Sequence, residues 1–151
     1  MNTKTIARQQ LDKRLATLKP LAIIERPALG WLRAIRDALK MSGPQLAKRM
    51  NLSKQRISVL EKAEMNGVAT LNSMRQAAEA LDCVFVYALV PRENLEATVT
   101  EQARKLAQKQ QKYASHSMML EDQLPSPAER QASLDAAVEK LVRDMPKSLW
   151  D

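Results

Sequence analysis

The residues best suited to chemistry lie between positions 54 and 62, where basic and amide side chains alternate with apolar ones. Four polar side chains fall outside the helical stripe that Ile57 and Leu60 define. Arg and Lys donate hydrogen bonds to guanine edges in the major groove of duplex DNA, and Gln pairs with adenine there. The expected base-reading residues are Lys54, Gln55, Arg56 and Ser58.

Cations and helix ends around this segment are suited to a different task, which is to hold phosphate. Phosphate oxygens accept hydrogen bonds from Lys and Arg, from polar side chains and from helix N-termini, and such contacts position a protein without specifying sequence. The expected phosphate-contacting residues are Ser42, Gln45, Lys48, Arg49, Ser53 and Lys62.

Two short helices joined by a tight turn would present these side chains. Ser42 and Ser53 are each placed to cap one of the helices. Asn51 tolerates the left-handed backbone that the corner demands, and Ala47 is small enough to let the helices approach closely. The residues with this structural role are Ala47, Asn51, Ile57 and Leu60.

The segment from Gln45-Leu46-Ala47 to Ile57-Ser58-Val59-Leu60-Glu61 resembles the helix-turn-helix of Cro and the phage repressors, the XRE type. The resemblance extends from about Trp31 to Leu81 and implies that Arg36 pairs with Glu61, which would fix the first helix to the end of the recognition helix. The family often has Gln where this chain has Gly43, supporting a phosphate contact, and it usually has Gly where this chain has Asn51.

A narrower resemblance covers nearly the whole chain. It rests on Trp31-Leu32-Arg33-Ala34-Ile35-Arg36, Thr70-Leu71, Ala77 to Cys83, Tyr87-Ala88-Leu89-Val90-Pro91 and His116 to Gln123. Together these resemble the family called mobile mystery protein A, whose members are encoded beside a Fic-domain protein in mobile elements and are regarded as antitoxin-like regulators. The resemblance implies a Fic-domain protein as a partner.

Charge is distributed unevenly along the 151 residues, although the formal net charge is +7. Residues 1–62 contain fourteen Lys and Arg against four Asp and Glu, whereas residues 63–151 contain ten against thirteen. The basic half is the half that contains the helix-turn-helix pattern. An excess of positive charge attracts a polyanion such as nucleic acid, and it makes the binding of that polyanion sensitive to salt.

Composition argues against catalysis, metal binding and cofactors. Cys83 and His116 are the sole cysteine and histidine, and no nucleophile, base and orienting group occur together. His116 is either a helix-surface residue or part of a partner-docking site. Five aromatic residues are too few for a base-stacking strip, which favours duplex DNA over single strands.

Neither a membrane span nor a secretion signal is expected. No stretch approaches the ~20 apolar residues that span a bilayer, and the N-terminus lacks the apolar core of a signal peptide. With a single cysteine the chain fits a reducing compartment, so we expect a cytoplasmic protein with no membrane partner.

Residues Cys83 to Val90 are β-branched, aromatic or apolar, and Pro91 ends the run, which predicts a β-strand. A strand needs a partner for its backbone groups. The partner is either Leu21 to Ile24 or the same strand of a second copy. The homodimer is favoured, because proteins with two-fold symmetry bind DNA half-sites about one duplex turn apart and two-fold strand pairing is self-complementary. The expected dimer-strand residues are Val84, Phe85, Val86, Tyr87 and Leu89.

Helices are expected on both sides of this core. Residues 3–18 form an amphipathic arm that either packs on its own core or contacts flanking phosphates. Residues 93–122 form a long helix, and Ser126 or Pro127 starts a last helix through Met145. Leu149 and Trp150 either pack back on that helix or dock on a partner.

The predicted fold is mainly α: a repressor-like bundle of about four helices, one short β-strand and C-terminal helices, preceded by an N-terminal helical arm. The domains are 1–28, 29–91 and 92–151. The expected function is sequence-specific binding of double-stranded DNA by a dimeric, antitoxin-type autorepressor on an inverted repeat. The alternative is an antitoxin that neutralises a Fic-type partner through its C-terminal helices, with DNA binding secondary.

Overall fold

The computed structural model describes residues 2–121 and 125–151, and these residues contain seven α-helices and two 3₁₀ helices. The α-helices are α1 (Thr3–Ala16), α2 (Trp31–Ala38), α3 (Gly43–Arg49), α4 (Lys54–Met65), α5 (Leu71–Ala80), α6 (Leu95–Leu120) and α7 (Pro127–Asp144). The 3₁₀ helices are Lys19–Ile23 and Lys147–Trp150. None of the described helices combines the length and the apolar content that a bilayer crossing requires.

The chain divides into two units. Residues Ile23–Ala88 form the α2–α5 unit, and Met1–Ala22 with Leu89–Asp151 form the α6–α7 unit. The prediction of a mainly helical chain is confirmed, and helices α2 to α5 lie within one unit.

The core of the α2–α5 unit is built from the apolar positions that the helical periodicity selects. All four helices contribute to it, so that burial of one continuous apolar cluster holds the bundle together. Its buried members are Leu32, Leu46, Ala47, Ile57, Ala77 and Leu81.

The start of α2 depends on a carboxylate from α4. Gly30, at the N-cap position, has no side chain to accept from the first amides of the helix. Glu64 accepts from them instead, from Trp31 N at 2.8 Å and from Leu32 N at 3.0 Å. Gly30 has a φ of +85°, and a Cβ placed on it would lie 2.7 Å from Glu64 Oε1. Only glycine satisfies both constraints.

The predicted β-strand over residues 83–90 is wrong, since the described residues contain no β-strand. Val84 is 88% exposed, and most of the segment's apolar side chains are likewise in solvent. One expected partner, Leu21 to Ile24, lies largely in the 3₁₀ helix Lys19–Ile23, and a single chain supplies no second copy. β-Propensity reports how a side chain suits a sheet, not whether a neighbouring strand exists. The residues concerned are Val84, Phe85, Val86, Tyr87 and Leu89.

The three-part division predicted a separate N-terminal arm. Instead, α1 packs on α6, and both helices belong to one unit. The Asp12 carboxylate accepts from the backbone amides of Leu95, at 2.7 Å, and of Glu96, at 3.1 Å. Arg8 Nε donates to Glu96 Oε2 at 2.6 Å, and the Arg8 side chain is mostly buried. That arginine is therefore committed to holding the arm on α6.

The two C-terminal helices pack as an antiparallel pair closed by the chain end. Val99 and Ala103 of α6 are buried against Leu149 of the last 3₁₀ helix, while Trp150 is largely exposed. Gln102 Nε2 donates to the carbonyl of Leu149 at 2.7 Å. Leu149 therefore packs back on its own unit, which is one of the two alternatives predicted for the tail.

We expect Gly30→Ala to destabilise the α2–α5 unit more than Gly67→Ala. Both glycines have positive φ, which costs an alanine roughly 1–2 kcal/mol, but a Cβ on Gly67 meets nothing within 4 Å. Gly30→Ala must also displace the Glu64 cap, which adds about 0.5–2 kcal/mol. Urea unfolding followed by circular dichroism measures both free energies. Equal losses would show that the Glu64 contact contributes nothing.

Candidate nucleic-acid interface

Helices α3 and α4 form the predicted helix-turn-helix. Asn51 lies in the left-handed region with a φ of +54°, and the Leu52 amide donates to the carbonyl of Ala47 at 2.9 Å. Ala47 is buried where the two helices pack together. The turn therefore uses the two local features that the residue types suggest, a left-handed corner at Asn51 and a small side chain at Ala47.

Three of the predicted phosphate contacts are occupied in capping these helices. Ser42 Oγ accepts from the Gln45 amide at 3.2 Å, and Gln45 Oε1 accepts from the Ser42 amide at 2.8 Å, which makes a capping box. Ser53 Oγ accepts from the Arg56 amide at 3.3 Å. These caps fix where each helix begins. The side chains of Ser42, Gln45 and Ser53 are therefore already engaged in hydrogen bonds within the protein.

The outer face of α4 is polar and basic. Ile57 is buried and Leu60 is half-buried, so these two positions define the inner face as predicted. The side chains expected to read bases all fall on the solvent side of this helix. The exposed residues are Lys54, Gln55, Arg56 and Ser58, together with Lys62 one turn further on.

The inner face of α4 is held to α2 by a buried ion pair. Arg36 Nε donates to Glu61 Oε1 at 2.6 Å, and Arg36 Nη2 donates to Glu61 Oε2 at 3.2 Å, a bidentate arrangement. Arg36 Nη1 donates to the carbonyl of Met41 at 2.8 Å. The hydrogen bond to Glu61 raises the pKa of Arg36, so burial does not discharge it. This is the pair that the repressor resemblance implies.

Sequence reasoning missed a second buried carboxylate on α4, Glu64. Its acceptor role for α2 joins residues more than 30 positions apart, so no local pattern identifies it. Two signals were nonetheless present: Gly30 cannot cap α2 with a side chain, and Glu64 follows Glu61 by three residues and therefore shares its face. At the same end of α4, Arg26 donates to the carbonyls of Glu64 and Met65.

The three remaining residues predicted to contact phosphate differ in whether the fold already uses their side chains. Arg49 Nε donates to the carbonyl of Ala80 at 2.7 Å, which ties the end of α3 to the end of α5. Lys48 and Lys62 are exposed, and they flank the base-reading set in the helix-turn-helix sequence. The structure therefore favours Lys48 and Lys62 over Arg49 as cations available to a polyanion.

A groove of about 600 Å³ in the α6–α7 unit contains the sole histidine. Basic groups surround exposed apolar surface there, and the described lining includes no carboxylate. The side chains around it include Lys109, Lys112, Tyr113, His116, Met119 and Arg130. His116 is exposed on this lining, whereas Asp122 and Gln123, which end the segment quoted for the narrower resemblance, lie outside the described residues.

Comparisons with protein-family models, with curated proteins and with solved structures find no match to this chain. Among the described residues, no three His, Cys, Asp or Glu side chains are grouped as metal ligands would be.

We expect Glu61→Gln to cost about 3–5 kcal/mol of unfolding free energy, because it removes the buried counter-charge of the Arg36 guanidinium and leaves only the half-exposed Asp37, 3.5 Å away. Glu101→Gln is the matched control, since Glu101 pairs with Arg104 in solvent, where an ion pair contributes at most about 1 kcal/mol. Urea unfolding measures both variants. A loss for Glu61→Gln no larger than that for the control would contradict the stated role of the buried pair.

Proposed function

We propose that this chain is a sequence-specific regulator that binds double-stranded DNA through the outer face of α4. The observation that carries the proposal is the division of α4 into two faces. Its inner face is fixed by Glu61 and Glu64, while the outer face presents Lys54, Gln55 and Arg56 to solvent. A rigid helix with donors near its N-terminus is what readout of base edges in a major groove requires.

Charge supports the same proposal. The α2–α5 unit contains ten Lys and Arg against six Asp and Glu, and two of those acids, Glu61 and Glu64, are buried against α2. Arg36 is buried with them, which leaves nine Lys and Arg against four Asp and Glu outside the core, a surface slightly more positive than the composition of the unit suggests. A positive surface attracts duplex phosphates and accelerates encounter, whereas the outer side chains of α4 would supply the discrimination between sequences.

We further propose that the chain acts as a homodimer in the cytoplasm and represses its own operon at an inverted repeat. One α4 covers only a half-site, so a second copy related by a two-fold axis doubles the contacted sequence. Helix-turn-helix proteins commonly bind as dimers on two half-sites, and the resemblance to the phage repressors supports the same arrangement here.

We expect Arg56→Ala and Lys48→Ala to weaken DNA binding in different ways. With a duplex selected by the wild-type chain from a random pool, Arg56→Ala should lose roughly 1–3 kcal/mol and keep its affinity for a scrambled duplex. Lys48→Ala should lose affinity equally on both and reduce the slope of log K against log salt by about 0.9 for each phosphate that it no longer neutralises. Fluorescence anisotropy across a salt series measures these quantities. Equal losses for Arg56→Ala on both duplexes would refute base reading by that residue.

A second candidate function is neutralisation of a partner protein, favoured by the groove of the α6–α7 unit. Tyr113 and Met119 are exposed beside Lys112 and Arg130, a combination suited to an acidic segment with apolar side chains. The narrower resemblance supplies the candidate, a Fic-domain protein encoded by the neighbouring gene.

We expect Tyr113→Glu to abolish co-purification with the product of the neighbouring gene while DNA binding is retained. The charge would repel an acidic segment and remove apolar contact area. Leu89→Glu, a change of another exposed apolar residue in the same unit but outside the groove, serves as the control and should leave co-purification intact. If Tyr113→Glu co-purifies like the wild type, the groove does not bind that partner.

A further inference from the structure

One residue on the outer face of α4 is not a hydrogen-bonding group. Val59 is 65% exposed, and the hydrophobic core of the described α2–α5 unit does not include it. The inner face of the helix is marked by Ile57, Glu61 and Glu64, all buried. Val59 follows Ile57 by two residues, which places it about half a turn away, on the opposite side of the helix.

The neighbours of Val59 on that face are the residues already proposed to meet DNA. Gln55 lies one turn before Val59 and Lys62 nearly one turn after it, so the three share a face by helical spacing. Single exposed apolar residues are common on protein surfaces and need no explanation by themselves. The position of Val59 is what distinguishes it, because it occupies the middle of an otherwise polar and basic face.

An apolar side chain on such a face can contact one apolar group in the major groove. Thymine is the one standard base that presents a methyl group there, on C5, and apolar side chains recognise it by contact. The stiff χ1 of a β-branched side chain leaves little rotamer freedom to lose on contact. We infer that Val59 specifies a thymine in each half-site by packing its methyl groups against the C5-methyl of that base.

The spacing along α4 also predicts where the thymine lies. Gln55 and Val59 are four residues apart, which is about 6 Å along the helix axis. Base pairs in a duplex are stacked at about 3.4 Å, so the two side chains address base pairs one or two steps apart. If Gln55 pairs with an adenine, the thymine read by Val59 is one or two base pairs from it.

This inference rests on the proposed DNA-binding function, and replacing thymine with deoxyuridine tests it. The probe is a duplex that the full-length wild-type chain selects from a random pool, in which each thymine is replaced singly by deoxyuridine, which lacks only the methyl group. We expect one position per half-site at which the Kd rises roughly fourfold, the ratio for about 0.8 kcal/mol per buried methyl-sized group. The other positions should show no change.

The variant Val59→Ala completes the test. Because the variant is present in both copies of the dimer, its Kd for the thymine duplex should rise by about the square of the single-position factor, roughly 15-fold, and deoxyuridine at the sensitive position should then have no further effect. Val68→Ala is the matched control, since Val68 is a 72% exposed valine in the same unit but outside α4. It should keep the wild-type Kd and the wild-type response to deoxyuridine.

The outcomes separate this inference from the function on which it rests. A wild-type chain that selects a duplex but tolerates deoxyuridine everywhere, or a Val59→Ala variant that keeps the sensitivity, would overturn the role of Val59 and leave DNA reading intact. A chain that selects no sequence would overturn both. The deoxyuridine series on the wild-type chain needs no variant, so the result does not depend on how Val59→Ala folds.

Discussion

The buried carboxylates of α4 are the constraint on which the rest of the α2–α5 unit depends. Glu61 binds the guanidinium of Arg36, and Glu64 caps the first amides of α2, so both ends of one short helix are fixed by the inner face of another. Burying two charges is costly unless every oxygen finds a partner. Because Arg36 and two backbone amides supply these partners, α4 is held in one orientation and its outer face stays exposed to solvent.

The same arrangement explains why the chain can combine a basic surface with a stable bundle. The α2–α5 unit places two of its acids where they organise the fold, at Glu61 and Glu64, and leaves most of its cations in solvent. Serine caps at positions 42 and 53 fix where the helices begin. Structural roles and the proposed recognition role thereby belong to different side chains of the same short helices, which suits a unit with little room for a larger core.

Local features of the fold could be predicted from the residue types, whereas contacts between distant residues could not, apart from the Arg36–Glu61 pair that the repressor resemblance implies. The caps at Ser53 and Ser126 and the left-handed turn at Asn51 involve neighbours a few residues apart, and each occurs where its residue type indicates. The cap from Glu64 and the attachment of α1 through Asp12 join residues 32 to 84 positions apart. The strand over 83–90 failed for the same reason, because pairing depends on a partner elsewhere.

The central claim is that the outer face of α4 enters a major groove, and methylation footprinting tests it most directly. Dimethyl sulfate modifies guanine N7 in the major groove and adenine N3 in the minor groove, so it reports which groove a protein covers. With DNA from upstream of its own gene, the account predicts two patches of protected guanine N7, about one duplex turn apart. Protection confined to adenine N3, or no protection at any salt concentration, would contradict it.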